Sequence, residues 1–203
     1  MTPEASAEPA LVVVISGPSG VGKDLVIDEL RRSGYPFRRT VTATTRAPRP
    51  DEQPGVHYFF YAVDEFERRI ADGFFVEYSR VYDRYYGIPR NQIEEALASG
   101  LDVIVKPDVQ GAIKLRRLLP AAVLIFLAPE SIDQLADRMA RRGSETEEEF
   151  QRRLAAAQTE LDQIAVFDYL VVNREGRLDE TVARVRAILQ AEKCRVRRLR
   201  PPR

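Results

Sequence analysis

The sequence predicts a three-layer α/β fold: a parallel core sheet wrapped by helices, broken by a mixed-strand insertion and a small lid. Two observations carry this expectation. Short apolar runs at residues 11–16, 103–105, 123–127 and 168–172 alternate with amphipathic helical segments, the pattern of strands buried on both faces. The first run leads straight into Gly17-Pro18-Ser19-Gly20-Val21-Gly22-Lys23-Asp24. Strand, glycine-rich loop, lysine and helix in that order define a phosphate-binding loop, and with it the P-loop NTPase fold.

Each element has a local reason. Residues 23–33 follow the loop as an amphipathic helix. Residues 40–45 are polar and extended, and lead into a loop rich in Pro and Arg at 46–55. Residues 58–61 form an aromatic strand. A helix over 63–71 takes Asp64 as its cap. Residues 75–78 and 84–87 read as further strands, and 91–99 as a helix that Gly100 stops. Ser131 caps a helix to residue 142, 146–164 is a long charged helix, and 178–193 closes the chain. The expected organisation is a leader at 1–9, a core at 10–39, 101–137 and 167–193, an insertion at 40–100, a lid at 138–166 and a basic tail at 194–203.

Charge and composition exclude some functions. The chain carries 31 basic and 31 acidic residues, so no global field draws it to nucleic acid or an acidic membrane. No apolar run is long enough to span a bilayer. The leader lacks the basic start and apolar core of a secretion signal, and its small, acidic, Pro-containing residues predict disorder. One cysteine, Cys194, cannot form an internal disulfide and is too isolated for a metal cluster, which points to a reducing, cytoplasmic setting. The tail from Arg195 onward lacks interleaved aromatics and reads as solvated. A monomer or a homodimer is expected.

The loop has definite physics. Its glycines turn backbone N–H groups of Ser19, Gly20, Val21 and Gly22 toward a polyphosphate. The following helix aims its positive end at the same anion. Lys23 adds a cation able to follow a transferring phosphoryl group. Only the position after the lysine departs from the pattern, because Asp24 stands where a Ser or Thr hydroxyl normally meets Mg²⁺. Asp24 is therefore the candidate metal ligand, directly or through water, and Mg²⁺ the expected cofactor with ATP.

Further blocks then become legible together: Thr42-Ala43-Thr44-Thr45-Arg46-Ala47-Pro48-Arg49-Pro50, Gly55-Val56-His57-Tyr58-Phe59-Phe60, Phe75-Val76-Glu77-Tyr78, Tyr85-Tyr86-Gly87 and Asp108-Val109-Gln110-Gly111. Arg142-Gly143-Ser144-Glu145-Thr146-Glu147 with Arg153-Leu154, and Asp168 through Asn173, complete the set. In this order and spacing the chain resembles guanylate kinase over nearly its whole length. The resemblance implies ATP-dependent phosphorylation of GMP, and of dGMP with it, by direct in-line transfer of the γ-phosphoryl group.

That resemblance assigns roles residue by residue. Arg46, Arg49, Tyr58 and Tyr86 hold the GMP phosphate. The arginine forks suit bidentate contacts, and the phenols donate without adding charge. Glu77 and Thr42 read the base, since guanine presents two adjacent donors that a carboxylate accepts. Lys106 and Asp108 complete the GMP site. Arg142 and Arg153, with Arg138, belong to a lid over ATP, so Lys23, Arg49, Arg142 and Arg153 form the catalytic cations. Asn173 lies near the adenine.

Three positions depart from the family pattern. Asp24 replaces a hydroxyl, Lys106 replaces an acidic residue, and Ile88 stands where the family often has Ser or Thr. A carboxylate gained at 24 and one lost at 106 leave the charge sum unchanged, which suggests that the two changes are coupled. Gly-Lys-Asp with a basic second site resembles the organelle-type branch of plant guanylate kinases. Two other readings compete. Ribose 1,5-bisphosphate phosphokinases share the fold and the Gly-Lys-Asp loop but should not need Glu77. A non-catalytic guanylate-kinase-like binding module would typically lack the loop and the lid arginines, and here Lys23, Arg142 and Arg153 are retained.

Overall fold

The computed structural model describes residues 8–81, 83–141 and 147–196. Within it a five-stranded sheet runs in the order β2-β7-β1-β8-β9. These strands are β1 (Val12–Ser16), β2 (Phe37–Arg39), β7 (Asp102–Val105), β8 (Val123–Ala128) and β9 (Tyr169–Val172). Every pairing is parallel. The β-branched run of β1 sits between β7 and β8, with Val13 opposite Ile104 and Ile15 opposite Ile125. Alternate side chains feed two cores, as the pleat requires. Val13 and Ile15 pack with Ile27 and Leu30 of α1 (Lys23–Arg32), Leu135 and Met139 of α5 (Ile132–Ala140), and Val185 and Leu189 of α7 (Leu178–Lys193). Val14 packs on the other face with Ile93 and Ala96 of α3 (Arg90–Ala98) and Ala112 and Leu115 of α4 (Val109–Leu118). Each fully buried Leu or Ile here contributes roughly 1.5–3 kcal/mol of transfer free energy. Two covered faces explain why β7 and β8 are buried along their whole length.

A second sheet, in the order β4-β3-β6-β5, rises beside the first. It comprises β3 (Thr42–Thr44), β4 (Tyr58–Phe60), β5 (Phe75–Val81) and β6 (Arg84–Pro89), with α2 (Val63–Ala71) against it. Its strands pair both parallel and antiparallel, as expected for the mixed insertion. The small core is aromatic: the Phe66 and Phe75 rings stack at 4.4 Å. Gly87 is required by that stack, because a Cβ there would meet Phe75 at 2.8 Å and Phe66 at 2.9 Å. The pairing of β5 with β6 carries a bulge between Phe75 and Glu77, leaving Val76 as the extra residue. Phe75 thereby stays in the aromatic core, Val76 joins the core under α3, and Glu77 turns toward the space between the two sheets.

Several local expectations are corrected. Ala62, not Asp64, occupies the cap of α2 and forms no side-chain bond there; Asp64 lies in the first turn, where it complements the helix dipole. The last β5 and β6 residues extend the expected strands, and α5 stops at Ala140. Helix α6 (Glu147–Leu161) ends three residues short of the expected C-terminus, and a single 3₁₀ turn (Ile164–Val166) follows it. Strand β2 and helix α4 were not anticipated. Ser131 does cap α5, accepting from Gln134 N at 3.1 Å.

Candidate functional site

The phosphate loop leaves β1 at its C-terminal end and closes on α1. Gly17, Gly20 and Gly22 have φ of 143°, 85° and 97°, which side-chain-bearing residues rarely adopt. Gly17 has a second constraint: a Cβ there would lie 2.1 Å from the Leu127 carbonyl oxygen of β8. The Lys23 ammonium folds back over the loop and donates to the Gly17 and Pro18 carbonyls at 2.5 and 3.1 Å. Burial, followed by the nearby Lys106 charge, lowers its pKa to about 8. An arriving phosphate would return this ammonium to full charge.

Asp24, next in sequence, is not presented as a free carboxylate. Lys106 Nζ lies 2.8 Å from both of its oxygens, and Arg39 Nη2 lies 2.5 Å from Oδ1. Burial opposes ionisation of Asp24, but Lys106 and Arg39 outweigh it and hold the carboxyl below its usual range. Arg39 ends the unanticipated strand β2, which explains why the sequence did not point to it.

A cleft of about 800 Å³ opens between the sheets. The loop contributes Gly17, Ser19 and Lys23 to its wall, the second sheet Thr42, Tyr58, Glu77 and Tyr86, and the end of β7 Lys106 and Asp108. Arg49 enters from the Pro-rich loop, and Arg153 from α6. Asp108 caps α4 by accepting from Gly111 N at 2.6 Å. The Tyr58 and Tyr86 rings lie edge to face at 6.4 Å. Glu77 is buried, and burial raises its pKa to about 7 against the opposing charge of Lys114. Arg153 Nη2 donates to Ser19 Oγ at 2.7 Å, tying α6 to the phosphate loop.

Arg46 does not line the cleft. Its Nη2 is held at 2.7 and 2.8 Å by Glu52, which also accepts from Arg49 N at 2.9 Å. Glu52 thus organises the two arginines, a role that sequence reading missed. Ser79, Ala156 and Glu160 also line the cleft unanticipated. Arg153, Ala156 and Glu160 follow one face of α6 at a spacing of three and four, a signal that was available. Ile88 lines the cleft where a hydroxyl was noted as missing.

On the other side of the loop lies a cavity of about 300 Å³, walled in part by Gly20, Gly22, Leu25, Arg138 and Asn173. Asn173 Nδ2 donates to the Val21 carbonyl at 2.7 Å, and its Oδ1 accepts from Thr181 at 3.0 Å. Arg138 donates to the Asn173 carbonyl at 3.1 Å. Gly22 makes room for this arrangement, since a Cβ there would meet Asn173 Nδ2 at 2.6 Å. Arg142 lies outside the described residues, so its expected role has no structural counterpart here.

A parallel sheet with a phosphate loop at the C-terminal end of its central strand, and a cavity on each side of that loop, defines a P-loop nucleotide-binding protein. A family model described as guanylate kinase matches residues 10–192. The chain is 41% identical to a guanylate kinase of Caldanaerobacter subterraneus over 93% of its length and 90% of that protein. It is 42% identical to one of Desulfitobacterium hafniense, covering 93% of each. A crystal structure of guanylate kinase from Anaplasma phagocytophilum matches with a TM-score of 0.77 at 29% identity, over 94% of this chain and 90% of that one. The chain belongs to the guanylate kinase family.

Proposed function

We propose that this chain phosphorylates GMP, and dGMP with it, to the diphosphate at the expense of ATP, by direct in-line transfer of the γ-phosphoryl group. The observation that carries the reading is the placement of the phosphate loop between two cavities: Gly17, Ser19 and Lys23 line the one holding the buried carboxylate Glu77, and Gly20 and Gly22 line the one framed by Arg138 and Asn173. Transfer needs a donor and an acceptor brought to one cation cluster, and little covalent chemistry from the protein.

In this reading the smaller cavity takes the adenine of ATP, and the loop amides from Ser19 to Lys23 take its phosphates. The cleft takes GMP. Glu77 and Thr42 face the base, with Asp108 beside them. Arg49, Tyr58 and Tyr86 face the acceptor phosphate, and Arg46 supports Arg49 through their shared partner Glu52. Lys23, Lys106 and Arg153 converge on the space between the substrates, where negative charge accumulates during transfer. Arg142 is proposed to join them. Residues 40–100 serve as the acceptor-binding part, 138–166 as the lid, and the remaining α/β body as the core.

Nucleotide kinases generally use ATP with Mg²⁺. Both Asp24 oxygens face cations, and among the described residues no cluster of three or more His, Cys, Asp or Glu side chains is placed to hold a metal. As arranged, Asp24 does not fit a metal-ligand role. We therefore treat Mg²⁺ as arriving with ATP as part of the substrate, and Asp24 as the anchor of Lys106 and Arg39.

No described helix is long and apolar enough to cross a membrane. Cys194 is exposed and unpaired, consistent with the cytoplasmic setting proposed here. The family match disfavours a ribose 1,5-bisphosphate acceptor, and that match together with the intact Lys23 loop disfavours a non-catalytic binding role. Product stoichiometry tests the transfer. ATP and GMP should yield ADP and GDP in equal amounts, whereas inorganic phosphate in place of GDP would contradict transfer to GMP.

A further inference from the structure

We propose that Lys114 is a specificity-determining residue of the acceptor site: its ammonium positions the Glu77 carboxylate as the acceptor that recognises guanine. The proposal rests on the reading of the cleft as a GMP site. Three features of the geometry lead to it.

First, Glu77 has an unfilled acceptor. Its side chain is 4% exposed, and its Oε1 has no hydrogen-bond partner among the described residues. A buried carboxylate oxygen left in that state is costly unless a ligand donor fills it. Second, Lys114 is the cation beside that oxygen. Its Nζ lies 3.3 Å from Oε1, close enough for an ion pair but outside hydrogen-bond geometry. The charge is therefore compensated while the lone pair stays available. Third, Lys114 is itself fixed, donating to the Tyr78 carbonyl of β5 at 2.7 Å. Helix α4 can approach this closely because Gly111 lacks a side chain; a Cβ there would lie 3.3 Å from Glu77 Oε2 and 2.9 Å from Pro107 Cβ.

The charged groups facing Glu77 are few. From α4 come Lys114 and the capping residue Asp108, while the residue opposite on β6 is the apolar Ile88. Burial pushes the Glu77 carboxyl up, Lys114 restrains the rise, Asp108 adds to it, and the result is about 7. A protonated carboxyl would place an O–H where guanine needs an acceptor for its own donors. Losing Lys114 would therefore extend the protonated range further into neutral pH.

The test is calorimetric titration of GMP, without ATP or metal, into the full chain at pH values from 6 to 9. Wild type is compared with Lys114→Met, Lys114→Gln and Lys114→Arg. The ionisation of GMP itself cancels in each variant-to-wild-type ratio. Met and Gln are expected to weaken binding roughly 5- to 30-fold near pH 7, between the exposed and buried limits for an ion pair. The ratio should fall toward one by pH 9, and Arg should stay close to wild type throughout. A ratio independent of pH in both Met and Gln, or equal to one at every pH, would overturn the role of Lys114. Failure of wild type itself to bind GMP would instead overturn the acceptor-site reading, and this inference with it.

Discussion

The Lys106 ammonium lies 2.8 Å from both oxygens of Asp24, although 82 positions separate the two in the chain. The P-loop pattern has a hydroxyl at position 24, and the family pattern has an acid at 106. The two departures therefore meet in space as an ion pair. The charge conservation apparent in the sequence has a physical basis: each residue supplies the counter-charge that the other requires.

This pairing predicts non-additivity. Asp24→Ser leaves Lys106 and Arg39 without their shared anion, and Lys106→Asp sets two carboxylates beside incoming phosphates. The double variant removes the paired carboxylates and the stranded Lys106, and leaves only Arg39 without its Asp24 partner. In kcat/KM, it should be milder than Lys106→Asp alone, with a coupling energy of about 0.5–3 kcal/mol. Simple additivity across the cycle would remove the coupling. Asp24 is 56% exposed, so solvent screening favours the lower end of that range.

Lys23 predicts an alkaline limb. Its pKa is lowered to about 8 in the ligand-free protein, so its charge is lost as pH rises through that value. kcat/KM for ATP reports the free enzyme and should decline above about pH 8. Lys106 contributes to the lowering, so Lys106→Met should shift this limb to higher pH. A limb that stays in place in Lys106→Met would show that the two lysines do not interact.

Glu77 predicts base selectivity. Glu77→Gln keeps the shape but replaces one acceptor oxygen with a donor NH₂. Loss of charge-assisted hydrogen bonds to two guanine donors should lower kcat/KM for GMP at least about a hundredfold. Binding of AMP, which lacks that donor pair, should change little, so that the GMP to AMP affinity ratio is a second readout.

Gly87 predicts a stability effect separable from chemistry. Gly87→Ala would press a methyl against both Phe66 and Phe75, at 2.9 and 2.8 Å, so that the stacked rings must shift. Overpacking of this kind costs about 1–3 kcal/mol. Urea unfolding should show a lower midpoint at an unchanged slope.

Much of the architecture was legible because its causes are local. The Val-rich β1, the glycines of the loop, the Ser131 cap and the closing helix α7 all carry their signals within a few residues. Strand β2 was missed because Phe37–Arg39 is three residues long and two are arginines; only pairing with β7 makes it a strand. Helix α4 was missed because its start was read as chemistry, although Asp108 carried a capping signal. In the site, residue types with evident chemistry were legible, whereas their counter-charges were not. Nothing near Arg46 marks Glu52 as its partner, and nothing near Asp24 or Glu77 announces Arg39 or Lys114. Those pairings arise when distant segments fold together, which leaves no periodic trace in the chain.

The most direct test of the central claim is ADP formation from ATP and Mg²⁺ with each of GMP, dGMP, AMP, UMP and ribose 1,5-bisphosphate as acceptor. The account predicts turnover confined to the guanine monophosphates and abolished in Lys23→Ala. Turnover with ribose 1,5-bisphosphate but not with GMP, or none with any acceptor, would contradict it.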